Sequence, residues 1–449
     1  MNDNNKNNAR LVIDPVGKTL INLTLPMIFG MLGIVVFNLV DTYFVGRLGT
    51  IPLAALSFTL PVVLVIGSIA LGLGIGASAV ISRAIGEGNH HKVERITTDS
   101  LFLALISVGI FVVIGFFTID PLFRALGAGP DVLPLVKIYM KIWYAGVLFL
   151  VFPMVGNNAI RAAGDTFTPS IIMMIGFVTN IILDPILIFG IGPFPRMEIA
   201  GAAVATVIAR SVTLVFSLYV LIYREKMITF DILPFKSVVE SWKSILYIGL
   251  PTAVTRVAVP IAVAVVLRII AFHGVEAVAA FGVGSRIEFF ALVVVVALSN
   301  VIVPFVGQNW GAGELNRVKE GISYGNRFAM AWGFFTFVAL AVFARPIASL
   351  FNGDPLVFDA IVLYLRIVPI GYGLFGVGLI SASALNALHK PLHAAVLTII
   401  EMFVLYVPLA LLGSYFFGLI GIFSSFALTF CVAGVLAYFL VKATLLSLA

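Results

Sequence analysis

Residues 86–93 read "GEGNHHKV" and residues 311–318 read "GAGELNRV". Both open on Gly-x-Gly and close on a basic residue followed by Val, and they stand 225 residues apart (311 less 86). The same offset carries Leu25-Pro26 to Leu250-Pro251, Gly49 to Gly274, Pro130 to Pro355 and Tyr139 to Tyr364. Chance gives one such match, not a series spread over more than a hundred residues. The chain is a duplication.

What is duplicated lies in a membrane. Of 449 residues, 61% are hydrophobic and only 11% charged, against about 45–50% and about 25% in soluble domains. Apolar stretches of span length recur throughout. Twelve spans are expected near 19–46, 52–82, 95–118, 132–162, 167–191, 198–222, 243–271, 276–306, 316–343, 356–386, 391–414 and 418–444. Several exceed the roughly 20 residues that a crossing needs, so they tilt, kink or project. Each half holds six spans, an even number, so both halves enter from the same side as a parallel repeat. The expected fold class is therefore an all-α polytopic membrane protein, with twelve transmembrane helices in two six-helix lobes. Residues 1–222 form the N-terminal lobe, 223–242 ("YREKMITFDILPFKSVVESW") a cytoplasmic linker, and 243–449 the C-terminal lobe. Paired bundles of this kind suit alternating access. A channel or receptor would not need the duplication.

Charge sets the orientation. With the N-terminus inside, Lys6, Arg10, Lys18, Arg83, Lys92, Arg95, Arg161, Arg224, Lys226, Lys236, Lys243, Arg317, Lys319, Lys390 and Lys442 are cytoplasmic. Only Arg47, Arg124, Arg196 and Arg345 fall outside. That asymmetry predicts cytoplasmic N- and C-termini in the inner (cytoplasmic) cell membrane. It also accounts for the net charge of +6, which calls for no nucleic acid. The single cysteine, Cys431, excludes a disulfide framework. The polar opening "MNDNNKNNAR" is read as a tail and not a cleaved signal.

The repeat is its own control for chemistry. Asp41 maps by the offset to Val266, Asn180 to Leu405 and Asp184 to Leu409. The scaffold repeats and these polar residues do not, so their chemistry belongs to the N-terminal half. Asp41 and Asp184 each fall roughly 8–10 Å below the outer end of their span at about 1.5 Å per residue. Thr206 lies at a similar depth. Asn180 and Asp184 are four apart on one helical face, and Asn38 and Asp41 three apart. These residues are expected to meet in one polar pocket. Pro185 and Pro26 each free a carbonyl one turn back and invite a kink, which is tolerated at membrane depth beside a cavity or within protein.

Two carboxylates close together do not both ionise cheaply, so such a pair can carry a proton. The same oxygens suit Na⁺ as a coordinated ion on Asp41, Asn180, Asp184 and Thr206. The bland alternative is helix-to-helix tethering, worth about 0.6–2 kcal/mol per contact. It competes evenly for Asn180 and Thr206 but not for the acids, because intramembrane acids are functional by default.

The stretches "NLVDTYFVGRLG", "LPVV" with "ALGLGIGASAVISRAIGEG", "NNAIRAAGDTFTP", and "NIILDPILIFGIGP" followed by "AGAAVAT" resemble the multidrug and toxic compound extrusion (MATE) family, in particular its DinF-like branch. The resemblance covers essentially the whole chain. It implies the two-lobed MATE/MOP fold, and export of organic cations or amphipathic compounds against inward H⁺ or Na⁺. It places the coupling-ion site on Asp41, Asn180, Asp184 and Thr206. The NorM-like branch also uses acids in its seventh and tenth helices, and this chain has none there. Related members often carry a Tyr four residues before the first aspartate, where Phe37 stands here.

Arg210, Arg256, Arg286, Glu288 and Glu401 also fall deep in spans. They gate or contact cargo, or pair with one another, and mutual pairing is the favoured reading. Arg268, near an outer end, is expected to snorkel. Met173 and Met174 suit an adaptable apolar wall. "GLGIGAS" (72–78) is a site of close helix packing rather than a phosphate loop, and no Walker lysine follows it. No nucleophile–base arrangement is present, so an enzyme is not expected, and no cofactor beyond the coupling ion. The expected partners are small amphipathic or cationic drugs and the lipid bilayer, with the chain acting as a monomer. A flippase for lipid-linked precursors or polysaccharides is the alternative; it would show a cationic path for pyrophosphate.

Overall fold

The computed structural model describes residues 10–231, 234–351 and 354–448. The tail through residue 9, with Lys6, and linker positions 232–233 lie outside them. The described chain is helical: α1 Val16–Gly46, α2 Thr50–Gly86, α3 His90–Ala125, α4 Leu133–Gly146, α5 Leu148–Ala162, α6 Phe167–Phe189 and α7 Ile199–Tyr219. A π-helical turn, Val220–Arg224, follows. Then come α8 Phe235–Ala271, α9 Val275–Gly311, α10 Leu315–Ser349, α11 Pro355–Ile367, α12 Tyr372–Ala387, α13 Pro391–Ile399 and α14 Val407–Ser447. A π-helical stretch, Ile400–Tyr406, joins the last two.

Among the described residues, ten helices are long and apolar enough to cross a membrane, and α4 with α5, bent by 44°, makes an eleventh. The left-handed break at Gly418 (φ 60°) divides the final long helix, giving the expected twelve. Pro26 and Pro185 lie inside α1 and α6, each of which remains one helix.

Two compact units emerge. One holds Leu25–Ala253; the other holds Arg10–Thr24 with Val254–Ala449. The division thus falls within α1 and α8, beside the repeated Leu-Pro pairs, whereas the sequence placed the junction at 223–242. In the second unit the start of the chain is tied down by side chains. Arg317 donates to the Leu11 and Asp14 carbonyls (3.1 and 2.6 Å) and to Asn309 Oδ1 (2.8 Å). In the first unit, the start of α8 packs on α2 through glycines. A Cβ on Gly72 would stand 2.5 Å from the Gly249 carbonyl, and one on Gly76 2.5 Å from that of Ile245. That is the close packing expected of "GLGIGAS".

The repeat has a backbone cause. Gly49 and Gly274 precede α2 and α9 with φ of 122° and 105°. Gly88 and Gly313, the second glycines of the opening octets, have φ of 71° and 79°. Only glycine adopts such angles without strain. At the first octet Glu87 meets Lys92 (2.7 Å) and Arg83 (3.0 Å). Burial alone would push the Glu87 carboxyl up, but Lys92 and Arg83 outweigh it and hold it below the ordinary range.

Two outcomes follow from this packing. Gly76→Leu is expected to lower the thermal midpoint and the yield of folded protein, while Gly67→Leu, with open space at its Cβ, leaves both near wild type; detergent-solubilised melting curves measure this. A depressed carboxylate contributes stability above its unfolded pKa and loses it as pH falls through the folded value. Glu87→Gln is therefore slightly less stable at neutral pH, within the ~0–1 kcal/mol of exposed pairs, and indistinguishable from wild type in acid.

Candidate functional site: a buried acid cluster in the first unit

Close backbone approach builds the site. A Cβ on Gly176 of α6 would stand 2.4 Å from Thr213 of α7, and one on Gly201 of α7 2.5 Å from the Leu187 carbonyl of α6. Gly33 of α1 likewise accommodates the Phe177 ring (2.7 Å). The small residues bring α1, α6 and α7 near enough for short polar side chains to meet.

At that level Asn180 and Asp184 are fully buried at 0% exposure. Asn180 Nδ2 donates to Asp184 Oδ1 (3.2 Å) and to Thr206 Oγ1 (3.5 Å). Asp41, on α1, lies within electrostatic reach of Asp184. The four expected residues are therefore gathered from three helices. Asn38 is not among them: it is exposed on α1, and its backbone carbonyl, rather than its side chain, accepts from Thr42 Oγ1 (2.7 Å). Three residues fall short of a full turn of about 3.6, so Asn38 is offset around α1 from Asp41.

Three oxygens of this cluster are buried and have no hydrogen-bond donor among the described residues: Asp41 Oδ1, Asn180 Oδ1 and Asp184 Oδ2. Buried acceptors are ordinarily satisfied. Unmet acceptors on two neighbouring carboxyls and an amide are a donor set for a small cation, and the residues fit either a proton or Na⁺. Among the described residues no group of three or more His, Cys, Asp or Glu side chains could hold a metal ion.

One neighbour, Tyr139, escaped the sequence reading, and Arg210, one of the deep charges singled out there, joins it beside the cluster. Tyr139, buried on α4, lies within electrostatic reach of Asp41, Asp184 and Arg210. Its only signal was its recurrence as Tyr364. Arg210, on α7, sits 5.2 Å over the Phe37 ring, and Phe37 packs on Phe177 at 5.5 Å. Where related members carry a hydroxyl, this chain thus offers an aromatic face to a guanidinium.

The expected mutual pairing of deep charges is corrected. None of Arg210, Arg256, Arg286, Glu288 and Glu401 enters an ion pair among the described residues. Arg210 is stacked, and Glu288 is held by tyrosine hydroxyls (2.9 and 3.1 Å). Aromatic groups take the place of opposite charge. Arg161 Nη2 meets Met173 Sδ (3.5 Å), while its Nε is buried without a partner. Met174 is exposed, as are Arg256 and Arg268 on α8, and Glu401 occupies the π-helical stretch.

The MatE family model matches residues 26–186 and 251–412, stretches that begin 225 residues apart (251 less 26), in step with the repeat. The chain is 40% identical over 437 residues to a protein of Shewanella oneidensis described as an FAD transporter, with 97% of each chain covered. It is 26% identical over 414 residues to the multidrug export protein MepA of Staphylococcus aureus, covering 91% of this chain and 89% of that one. The MATE transporter VcmN of Vibrio cholerae, in its bent form, superposes with a TM-score of 0.91 at 32% identity, covering 96% and 97% of the two chains. Duplication, twelve spans, one shared architecture and a match over both halves lead to one conclusion: this chain is a multi-pass membrane transporter, not an enzyme, and belongs to the MatE family.

Proposed function

We propose that the chain is an ion-coupled exporter working by alternating access, in which a cation entering at Asp41 and Asp184 drives a small molecule outward. The observation that carries the reading is the trio of buried, partnerless oxygens on Asp41, Asn180 and Asp184. A carboxyl held at membrane depth with no cationic side chain paired to it costs several kcal/mol, and a bound cation offsets that cost. We favour H⁺, because two adjacent carboxyls readily share a proton; Na⁺ on the same oxygens is the variant reading. Each charge moved inward supplies about 2.3 kcal/mol per 100 mV.

For the cargo, a flavin dinucleotide such as FAD is the leading reading. Two features support it: the 40% identical relative described as an FAD transporter, and the guanidinium groups of Arg161 and Arg210, which meet Met173 and Phe37 instead of acids. Such groups suit phosphates and a flat aromatic ring together. Drug cations are the second reading, supported by the relatives described as multidrug export proteins. A lipid-linked pyrophosphate would engage the same arginines. The charge asymmetry supports a cytoplasmic membrane with both termini inside, and a monomer is sufficient for the mechanism.

The test is transport in liposomes containing the purified protein, with FAD, a fluorescent organic cation and a lipid-linked pyrophosphate offered separately. A pH gradient and a Na⁺ gradient are imposed in turn at fixed voltage. FAD movement that follows the pH gradient is expected; cargo movement indifferent to both gradients overturns ion coupling. Asp41→Asn is expected to lower the attainable concentration ratio about fiftyfold at 100 mV, since ~2.3 kcal/mol of drive is lost. Asp184→Asn also impairs it, and Leu409→Asp, at the repeat-equivalent position, confers nothing. Arg161→Met is expected to reduce FAD movement and spare the organic cation; the opposite pattern moves the drug reading to the front.

A further inference from the structure

The second unit contains a half-buried acid that the first-unit site does not use. Glu288 of α9 accepts hydrogen bonds at Oε2 from the hydroxyl of Tyr364 on α11 (2.9 Å) and from that of Tyr372 at the start of α12 (3.1 Å). Tyr406, from the π-helical stretch, lies within its electrostatic reach. These three tyrosines are the titratable groups that face it, and no Lys, Arg or His forms an ion pair with it among the described residues. All three are enclosed, at 1%, 0% and 6% exposure.

The arrangement is built. Gly284 stands one turn before Glu288 on the same face of α9, and a Cβ there would lie 2.5 Å from the Tyr364 ring. The ring therefore lies flush on the helix, which delivers its hydroxyl to the carboxyl. The repeat adds a second, independent observation. Tyr364 is the counterpart of Tyr139, the tyrosine beside Asp41 and Asp184, whereas Glu288 maps to Val63 (288 less 225). The tyrosine is common to both halves, and each half supplies its acid from a different helix.

We infer that the second unit binds a proton of its own at Glu288, in addition to any ion held by the first. A bare carboxylate among apolar helices with no countercharge is costly, and two phenol donors reduce that cost. The same phenols also suit the neutral acid, because a hydroxyl accepts as well as donates. Uptake places the proton on a carboxyl oxygen of Glu288, and one tyrosine hydroxyl rotates from donor to acceptor; no covalent bond breaks. A larger cation is a poor fit. Tyr364 packs on Phe423 with centroids 5.0 Å apart, and Tyr406 on Phe426 at 4.8 Å, so a metal ion with its ligand sphere would have to displace rings that a proton leaves in place.

Infrared difference spectroscopy of the purified, lipid-reconstituted protein between acid and alkaline pH tests this without any cargo. The expected result is a carboxylic-acid carbonyl band that disappears on raising the pH, is absent from Glu288→Gln, and persists in the Asp41→Asn/Asp184→Asn double variant. Tyr364→Phe and Tyr372→Phe are expected to retain the band and move its pH midpoint, and they carry the test if Glu288→Gln does not fold. A Glu288→Gln spectrum superimposable on wild type overturns the inference. So does a midpoint that neither tyrosine variant moves, or a band that responds to Na⁺ at constant pH. Loss of gradient-driven transport in the wild type would overturn ion-coupled export while leaving this band untouched, so the two proposals fail separately.

Discussion

A hydrocarbon interior offers no water to satisfy a polar atom, and most of this chain's arrangement follows from that constraint. Backbone groups are satisfied within the helices that make up nearly all of the described residues. Side-chain hydroxyls largely bond back to the preceding turn, as Thr24 does to the Leu20 carbonyl (2.7 Å) and Thr252 to that of Ile248 (2.8 Å). Against that background Asp41 Oδ1, Asn180 Oδ1 and Asp184 Oδ2 are buried acceptors that no described residue satisfies.

Bringing those oxygens together depends on residues that carry no chemistry. Asn180 reaches Thr206 because Gly176 and Gly201 remove the bulk that would hold α6 and α7 apart. Without a hydrophobic drive between helices in lipid, such surfaces pack by contact and small residues set the distance. Glycine also fixes the corners: Gly49, Gly88, Gly274 and Gly313 take left-handed backbone angles at matching places in the two halves. The duplication is thus a duplication of corners, while the contact glycines Gly176 and Gly201 give way to Glu401 and Phe426 at the same offset.

The placement of acids departs from that symmetry. The first unit draws acids from α1 and α6 toward Tyr139; the second draws one from α9 toward Tyr364. Deep charges are managed without ion pairs. Arg210 rests on an aromatic face and Glu288 on phenol hydroxyls. Such partners compensate a charge only in part.

The duplication, the twelve spans and the presence of two acids, Asp41 and Asp184, within spans of the first half were legible in the residues, because hydropathy, a constant offset of 225 and the cost of a carboxylate in lipid are local or periodic properties. Asn180 and Thr206 were legible through spacing and depth, together with the family resemblance. Spacing along one helix does not settle exposure, so it groups Asn38 with the cluster although Asn38 is exposed. The partners of Arg210 and Glu288 were invisible for the same reason. Those charges were read as paired with one another, but Phe37 lies 173 positions before Arg210 (210 less 37) and Tyr364 lies 76 after Glu288. Sequence by itself determined which residues are costly to bury. Only the tertiary structure decided what meets them there, because that depends on how closely glycine lets one helix approach another.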